Sequence, residues 1–233
     1  MRKCVVPISG GIDSTVLLHW AKHDGFEIHA VSYRYGQRHT ERELYCASRQ
    51  VDDVATTHKV LDLTFFKDIA TTSALTNDNI QVAKTKDVLG DPQTVNYVPN
   101  RNMMMLSICT AYAESIGADT VFHGAALVDS QAGFWDGSIE FLRAINEVKA
   151  LNRRERIEVV APLIQKSKKD MILKGVELGV DFRNTWTCYE GGARACGECT
   201  ACSSRIQGFL SAGIKDPVEY SRNDIPWPVK EVA

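Results

Sequence analysis

Apolar positions along the chain switch between short continuous runs and stretches with helical spacing, and the switching predicts a repeating strand and helix order. Residues 3–8 form an apolar run that stops at Ser9-Gly10-Gly11, and 14–24 have helical spacing behind a Ser cap. The segment 27–33 alternates as a strand, 40–55 reads as a helix and 58–63 as another short strand. This β-α-β-α-β order predicts a parallel sheet with right-handed crossovers.

From 71 to 96 the pattern dissolves into Thr, Asn, Asp, Gly and Pro, which predicts a long loop and a candidate lid. Helical spacing resumes over 101–116 through Met104, Met105, Ile108 and Ala111, and a strand over 119–123 ends in Gly124. Helices over 138–151 and 167–178, with a strand-like 157–160 between them, lead into a cysteine-rich end. The run Met103-Met104-Met105 reads as core filling, and so do Cys4, Cys46 and Cys109 in their apolar surroundings.

Composition narrows the class. A chain of 233 residues with 44% apolar side chains, 24% charged residues and 7 Pro is neither disordered nor collagen-like. It fits one compact domain with an appendage, able to bury roughly 70% of its unfolded surface. Lys plus Arg number 27 against 29 Asp plus Glu, with no basic block, so stable nucleic-acid binding is not expected. The apolar start is shorter than the roughly 7–15 residues of a signal peptide, and no run approaches the roughly 18 of a membrane span. The expectation is a soluble, cytoplasmic protein. Of the 7 Cys, four crowd into the last quarter, which reads as metal ligation in a reducing compartment rather than a disulfide framework.

Ser9-Gly10-Gly11-Ile12-Asp13-Ser14 lies where the first strand feeds the first helix, so backbone N–H groups and a helix N-terminus converge on one point, where an anion can sit. Neither the Walker loop nor the dinucleotide fingerprint matches. The S-G-G-x-D-S pattern resembles the ATP pyrophosphatase, or PP-loop, superfamily. That resemblance implies ATP held with its β and γ phosphates in the turn while a substrate oxygen attacks the α phosphorus. Asp13 is a candidate Mg2+ ligand or a support for the first helical turn.

Cys188, Cys196, Cys199 and Cys202 are spaced Cys-x7-Cys-x2-Cys-x2-Cys. Four thiolates close a tetrahedron without an open position, which matches one structural Zn2+ per chain. An iron-sulfur cluster is the alternative for closely spaced x2 cysteines.

An ordered series of motifs extends the resemblance: Tyr35-Gly36-Gln37-Arg38-His39 with Glu41 or Glu43, Val98-Pro99-Asn100-Arg101-Asn102, His123-Gly124, Asp129, Ala161-Pro162-Leu163-Ile164 and Ser167-Lys168. Cys188-Tyr189, Cys196-Gly197-Glu198-Cys199, Cys202, Arg205 and Gly213-Ile214-Lys215-Asp216-Pro217 complete it. Together they resemble the QueC family of 7-cyano-7-deazaguanine synthases. The resemblance implies a ligase that joins 7-carboxy-7-deazaguanine and ammonia in two adenylation rounds, with two ATP giving two AMP and two diphosphates, and a homodimer. It implies an ATP-binding segment of Ile8, Ser9, Gly10, Gly11, Ile12, Asp13, Ser14, Thr15, Val16, Leu17 and Leu18.

Arg38, His39, Arg101, Asp129, Asp136 and Lys168 are the catalytic or substrate candidates, the cations standing on loops or helix starts at the expected sheet edge. Tyr33 and Tyr35 are candidates to pack on a purine, and His123 reads more simply as a satisfied core histidine. One segment departs from the family pattern: Gly133-Phe134-Trp135-Asp136-Gly137-Ser138 stands where Gly-Tyr-Pro-Asp-Cys-Arg is usual. A relative that stops at the amide or uses another amine is the alternative this raises. A PP-loop tRNA thiolation enzyme with an iron-sulfur cluster is the second. The expected architecture is a parallel-sheet PP-loop α/β domain over 1–184 with a helical zinc-binding subdomain over 185–233 packed on it.

Overall fold

The computed structural model describes residues 2–85, 95–127, 129, 134–151 and 156–228. Five strands, β1 (Lys3–Pro7), β2 (Glu27–Arg34), β3 (Thr57–Asp62), β4 (Thr120–Phe122) and β5 (Glu158–Val160), form one sheet in the order β3-β2-β1-β4-β5. Every pairing is parallel. The helices are α1 (Ile12–His23), α2 (Thr40–Val51), α3 (Arg101–Ile116), α4 (Ile139–Lys149), α5 (Lys168–Glu177) and α6 (Thr200–Ala212).

The sheet has a core on each face, which is why β1 reads as an unbroken apolar run. Cys4, Val6 and Ile8 pack with Leu17 of α1, Met171 of α5 and Phe209 of α6. Val5 points the other way, toward Leu106 and Cys109 of α3 and Phe141 of α4. The chain leaves β1 toward β2 and β3 and later returns on the opposite side through β4 and β5. The strand order therefore reverses at the carboxyl ends of β1 and β4, the place where ligands of open α/β sheets bind.

Local boundaries differ from the sequence reading for identifiable reasons. Helix α1 starts at Ile12 with Gly11 as its N-cap, so Ser14 is not the cap; its hydroxyl instead accepts from Ser9 N at 3.2 Å. Helix α2 stops at Val51, followed by Asp53 at a φ of 61°. Met103 is 43% exposed and does not fill the core, while Cys4, Cys46 and Cys109 are buried.

The described parts of the 71–96 loop do not form a free lid. Ser73 to Thr76 are buried, Ala74 N donates to Val95 O, and Thr85 N donates to Glu198 O. Residues 86–94 lie outside the described residues. No described helix is long and apolar enough to cross a membrane.

Candidate functional site

A cavity of about 310 Å3 opens at the strand-order reversal. One end is made by the glycine turn. Gly10 has a φ of 79°, and a Cβ there would lie 2.7 Å from both Ala47 N and Glu43 O of α2. Only glycine lets the turn sit this close to that helix. Ser9 Oγ accepts from Gly11 N at 3.2 Å and lies 3.1 Å from Ser14 Oγ, while Trp186 N donates to Gly10 O at 2.8 Å. The turn is thus held before any ligand arrives.

Ile8, Ser9, Gly11, Ile12, Asp13 and Ser14 line the cavity. Thr15, Val16, Leu17 and Leu18 are fully buried behind it and hold α1 against the sheet. Lys168, at the start of α5, reaches across to Asp13, with Nζ 2.6 Å from Oδ1. Its path depends on Gly208 of α6, where a Cβ would meet Lys168 Cγ at 2.5 Å. Asp129 also lines the cavity, and its Oδ2 accepts from Ala126 N at 2.8 Å. Burial, reinforced by the charge of Asp13 and opposed by Lys168, pushes its carboxyl up to about 6. Two carboxylates and an ammonium beside a nest of N–H groups suit a polyphosphate and its divalent cation.

The other end is aromatic. Tyr35, Tyr97, Phe134 and Tyr189 line it, with Phe134 stacked on Tyr97 at 6.1 Å and Trp135 Nε1 donating to Tyr97 OH at 2.7 Å. Arg101, at the N-terminus of α3, donates to Tyr35 OH at 3.2 Å. Asp136 is 5% exposed, and its main-chain oxygen accepts from His123 Nε2 at 3.0 Å. Burial keeps His123 below its ordinary range. It donates in its neutral form, consistent with the core reading of that residue. Tyr33 also lines the cavity, while its hydroxyl reaches into the core and donates to Met105 O at 2.9 Å.

Between the two ends stand His39 and Glu43. Gln37 Oε1 accepts from Tyr35 N at 2.9 Å, and its Nε2 donates to Tyr33 O and to Glu43 Oε2, both at 3.0 Å. Glu43 Oε1 lies 3.5 Å from His39 Nε2. Burial opposes the Glu43 charge, but His39, Gln37 and Arg101 outweigh it and hold the carboxyl below its ordinary range. Arg38 is placed elsewhere and does not line the cavity. Its Nη2 donates to Asn77 O and Ile80 O at 2.9 and 2.6 Å, and its Nε faces Asp78, so it ties down the loop.

The roles of Tyr97, Phe134 and Tyr189 as cavity wall were not legible from the sequence, nor was the Gln37–Glu43 contact. The spacing of His39 and Glu43, four residues apart at a helix start, is the one signal that marks a pair.

The four cysteines converge where the sequence predicts. Their Sγ atoms all lie within 4.8 Å of one another, with Cys196 and Cys202 at 3.9 Å. A tetrahedron with Zn–S bonds of about 2.3 Å has edges of about 3.8 Å, so the donor set fits such an ion. Backbone N–H groups of Cys196, Glu198, Cys199 and Cys202 point at the sulfurs of this cluster at 3.3–3.4 Å. The cluster is stitched to the cavity rim. Asn96 accepts from Ala83 N and donates to Thr200 Oγ1, and Trp186, Thr187, Tyr189 and Ala201 line the cavity.

The family model described as "Queuosine biosynthesis protein QueC" matches residues 3–213. The chain is 40% identical over 226 residues to the 7-cyano-7-deazaguanine synthase of Caldicellulosiruptor bescii, covering 97% of this chain and 100% of that protein. It is 40% identical over 231 residues to the 7-cyano-7-deazaguanine synthase of Caldicellulosiruptor saccharolyticus, covering 98% and 99%. Among solved structures, the U34-tRNA thiolase NcsA of Methanococcus maripaludis with its 4Fe-4S cluster superposes with a TM-score of 0.48 at 16% identity, over 77% of this chain and 57% of that one. On the match that runs through nearly its whole length, the chain belongs to the QueC family.

Proposed function

We propose that this chain is an ATP-dependent ligase that converts 7-carboxy-7-deazaguanine and ammonia to 7-cyano-7-deazaguanine. The observation that carries the reading is one cavity with the glycine turn, Asp13 and Lys168 at one end and an aromatic, Arg101- and Asp136-bearing chamber at the other. A resonance-stabilised carboxylate becomes an electrophile only when one oxygen is made a good leaving group. ATP supplies that group: the carboxylate oxygen attacks the α phosphorus and pyrophosphate departs into the glycine turn. Ammonia then displaces AMP to give the amide, whose oxygen is adenylated in turn before elimination to the nitrile.

In this reading the N–H groups of the turn, Ser9 and Ser14 hold the departing pyrophosphate, and Lys168 offsets its charge. Asp13 and Asp129 are the residues that would hold Mg2+, which would neutralise developing negative charge on the phosphates. At the other end Asp136 accepts from the N–H edge of the base, Arg101 pairs with the substrate carboxylate, and Tyr35 and Tyr97 bound the ring. The four cysteines hold one structural Zn2+ per chain, with every coordination position taken by sulfur. Metal analysis checks this: one zinc in colourless protein is expected, and iron with acid-labile sulfide overturns it.

Residues 185–233 are proposed as a subdomain packed on the 1–184 domain, supported by Phe209 of α6 lying in the same core as Leu17 of α1. A homodimer follows the family resemblance and is checked by light scattering. A cytoplasmic setting is supported by seven cysteines without a disulfide.

The deciding experiment is mass spectrometry of products from ATP, ammonium and 7-carboxy-7-deazaguanine, with AMP quantified. Nitrile with two AMP per product is expected, and absence of both AMP and nitrile overturns the reading. A second reading has its own observation. Phe134, Asp136 and Gly137, within the segment that departs from the family pattern, form part of the cavity wall, whereas Gly133 lies outside the described residues. Amide with one AMP, or AMP formed only with another amine, would establish that alternative.

A further inference from the structure

Tyr97 and Tyr189 wall the aromatic end of the cavity, yet both stand on stretches that are neither helix nor strand, 95–98 and 185–193. Such a stretch takes its shape from whatever its polar groups are tied to. Both stretches are tied to the four cysteines. Tyr189 follows Cys188 directly in the chain, and Trp186 Nε1 donates to Cys188 O at 2.8 Å. Arg42 of α2 holds the far end of the same stretch, donating to Gly192 O and Ala193 O at 3.1 and 2.9 Å. Cys188 is the one member of the cluster supplied from outside 196–202, so it is the member that fastens this wall to the other three.

Tyr97 is tied at longer reach. Lys84 forms an antiparallel bridge with Cys199, Thr85 N donates to Glu198 O at 3.1 Å, and Thr85 Oγ1 donates to Ser203 Oγ at 2.6 Å. Asn96, next to Tyr97 and 5% exposed, joins this clip to the cavity wall: it accepts from Ala83 N at 3.0 Å and donates to Thr200 Oγ1 at 3.3 Å. Phe134 stacks on Tyr97 and Trp135 donates to its hydroxyl, so the position of Tyr97 is passed on to them. The glycine turn is held in a different way. Ser9, Gly11 and Ser14 bond one another and Gly10 rests on α2, while a single bond, from Trp186 N to Gly10 O, reaches it from the cysteine-rich side.

We infer that the cysteine cluster is the positioning element of the base-binding end, setting Tyr189 through Cys188 and Tyr97 through Asn96, so that metal retention and binding of the deazaguanine strengthen each other; this rests on the ligase and metal readings above. Thiolates whose sulfurs lie within 4.8 Å repel one another unless an ion stands among them, so metal binding there supplies folding energy to the stretches that bring the ligands. Those stretches are the walls of the aromatic end. A base held between Tyr97 and Tyr189 orders the same stretches from the cavity side. By linkage, the factor by which the base raises metal affinity equals the factor by which the metal raises base affinity. ATP gains less, because the turn that holds its phosphates is braced mainly by its own hydroxyls and by α2.

The test reads metal affinity rather than activity. Zinc affinity of the full chain is measured by competition with a chromogenic chelator, in the presence of 7-carboxy-7-deazaguanine or of α,β-methylene-ATP with magnesium, each at about 100 times its dissociation constant. The base is expected to raise zinc affinity by about tenfold or more and the ATP analogue by at most about threefold. A metal that only held the fold together would respond equally to both, because ligands of the folded chain at the same multiple of their dissociation constants stabilise it equally. A base gain less than about three times the analogue gain therefore overturns the proposal.

Asn96→Ala cuts the clip and leaves all four cysteines. It is expected to keep one zinc per chain while the gain with the base falls by about threefold or more, and an undiminished gain overturns the proposal. If Asn96→Ala does not fold, as judged by its melting curve, hydrogen exchange in the wild-type protein decides. On removal of zinc, the Ala83 and Thr85 amides should exchange about tenfold or more faster, while the Val159 amide, bonded to Asn146 Oδ1 at 2.8 Å on the far edge of the sheet, changes by less than about threefold. Equal acceleration at all three overturns the proposal. Wild-type protein that binds no 7-carboxy-7-deazaguanine defeats the ligase reading, and protein without metal defeats the metal assignment; both results precede any measurement of coupling.

Discussion

At the glycine-turn end of the cavity Ser9, Gly11, Ile12, Asp13 and Ser14 come from one short stretch of chain, joined by the side chains of Asp129 and Lys168. At the aromatic end Tyr35, Tyr97, Arg101, Phe134, Asp136 and Tyr189 arrive from separate stretches of the chain, and their side chains make the surface. Binding of a polyphosphate needs N–H groups and charge, which any strand-to-helix turn can supply. Recognition of one heterocycle needs a shaped wall, which no single turn can build.

The largest expected effect breaks the phosphate end. Gly10→Ala places a Cβ 2.7 Å from backbone atoms of α2 at a φ of 79°. We expect pyrophosphate–ATP exchange to fall by about 1000-fold or more, with calorimetric binding of 7-carboxy-7-deazaguanine retained.

Asp216→Ala strikes the opposite end through its support. Asp216 and Arg205 are 0% and 2% exposed and form a bidentate pair at 2.6 and 2.8 Å, while Arg205 also donates to Thr185 Oγ1 at 2.8 Å. Removing the carboxylate leaves a buried guanidinium uncompensated, so urea unfolding should show a loss of about 3–5 kcal/mol. The segment that carries Trp186 and Tyr189 loosens with it, so KM for the deazaguanine should rise more than KM for ATP.

Lys168→Met removes the cation at the phosphate end, and a fall in kcat/KM of about 100- to 1000-fold is expected, located in the adenylation half-reaction. Asp136→Asn is smaller: KM for 7-carboxy-7-deazaguanine should rise about 10- to 100-fold with KM for ATP within threefold. Equal changes for both substrates would remove Asp136 from the base-binding end.

The smallest effect belongs to His123, on the floor between the ends. Burial holds it below its ordinary value of 6.5, so on acidification the unfolded chain takes up this proton first. Stability should therefore decline as pH falls through about 6.5, by at most about 1.4 kcal/mol per pH unit, and His123→Gln should flatten that slope in denaturant titrations.

Much of the architecture was legible because it rests on local rules. The strand and helix order followed from periodicity, and Arg101–Ile116 was read to the residue. The glycine turn and the cysteine spacing were readable for a related reason: each packs its chemistry into a few consecutive positions. Arg38 shows the limit. Its place in a motif suggested a cation for phosphates, yet the fold of 77–80 turns two carbonyls toward it and takes the guanidinium away from the cavity. Met103 shows it too, since helical spacing alone does not say how far the core extends along α3.

By itself, the sequence determined the α/β class, the glycine turn between β1 and α1 and the four-cysteine cluster, because each depends on neighbours in the chain and on repeats of hydrophobic spacing. Only the tertiary structure decided which end of the cavity each distant side chain reaches. The order β3-β2-β1-β4-β5 brings the ends of β1, β2 and β4 together with α5 and the segment before the cysteines. That convergence sets the partners of Lys168, Asp136 and His39, and it arises from packing two cores on one sheet rather than from any local rule.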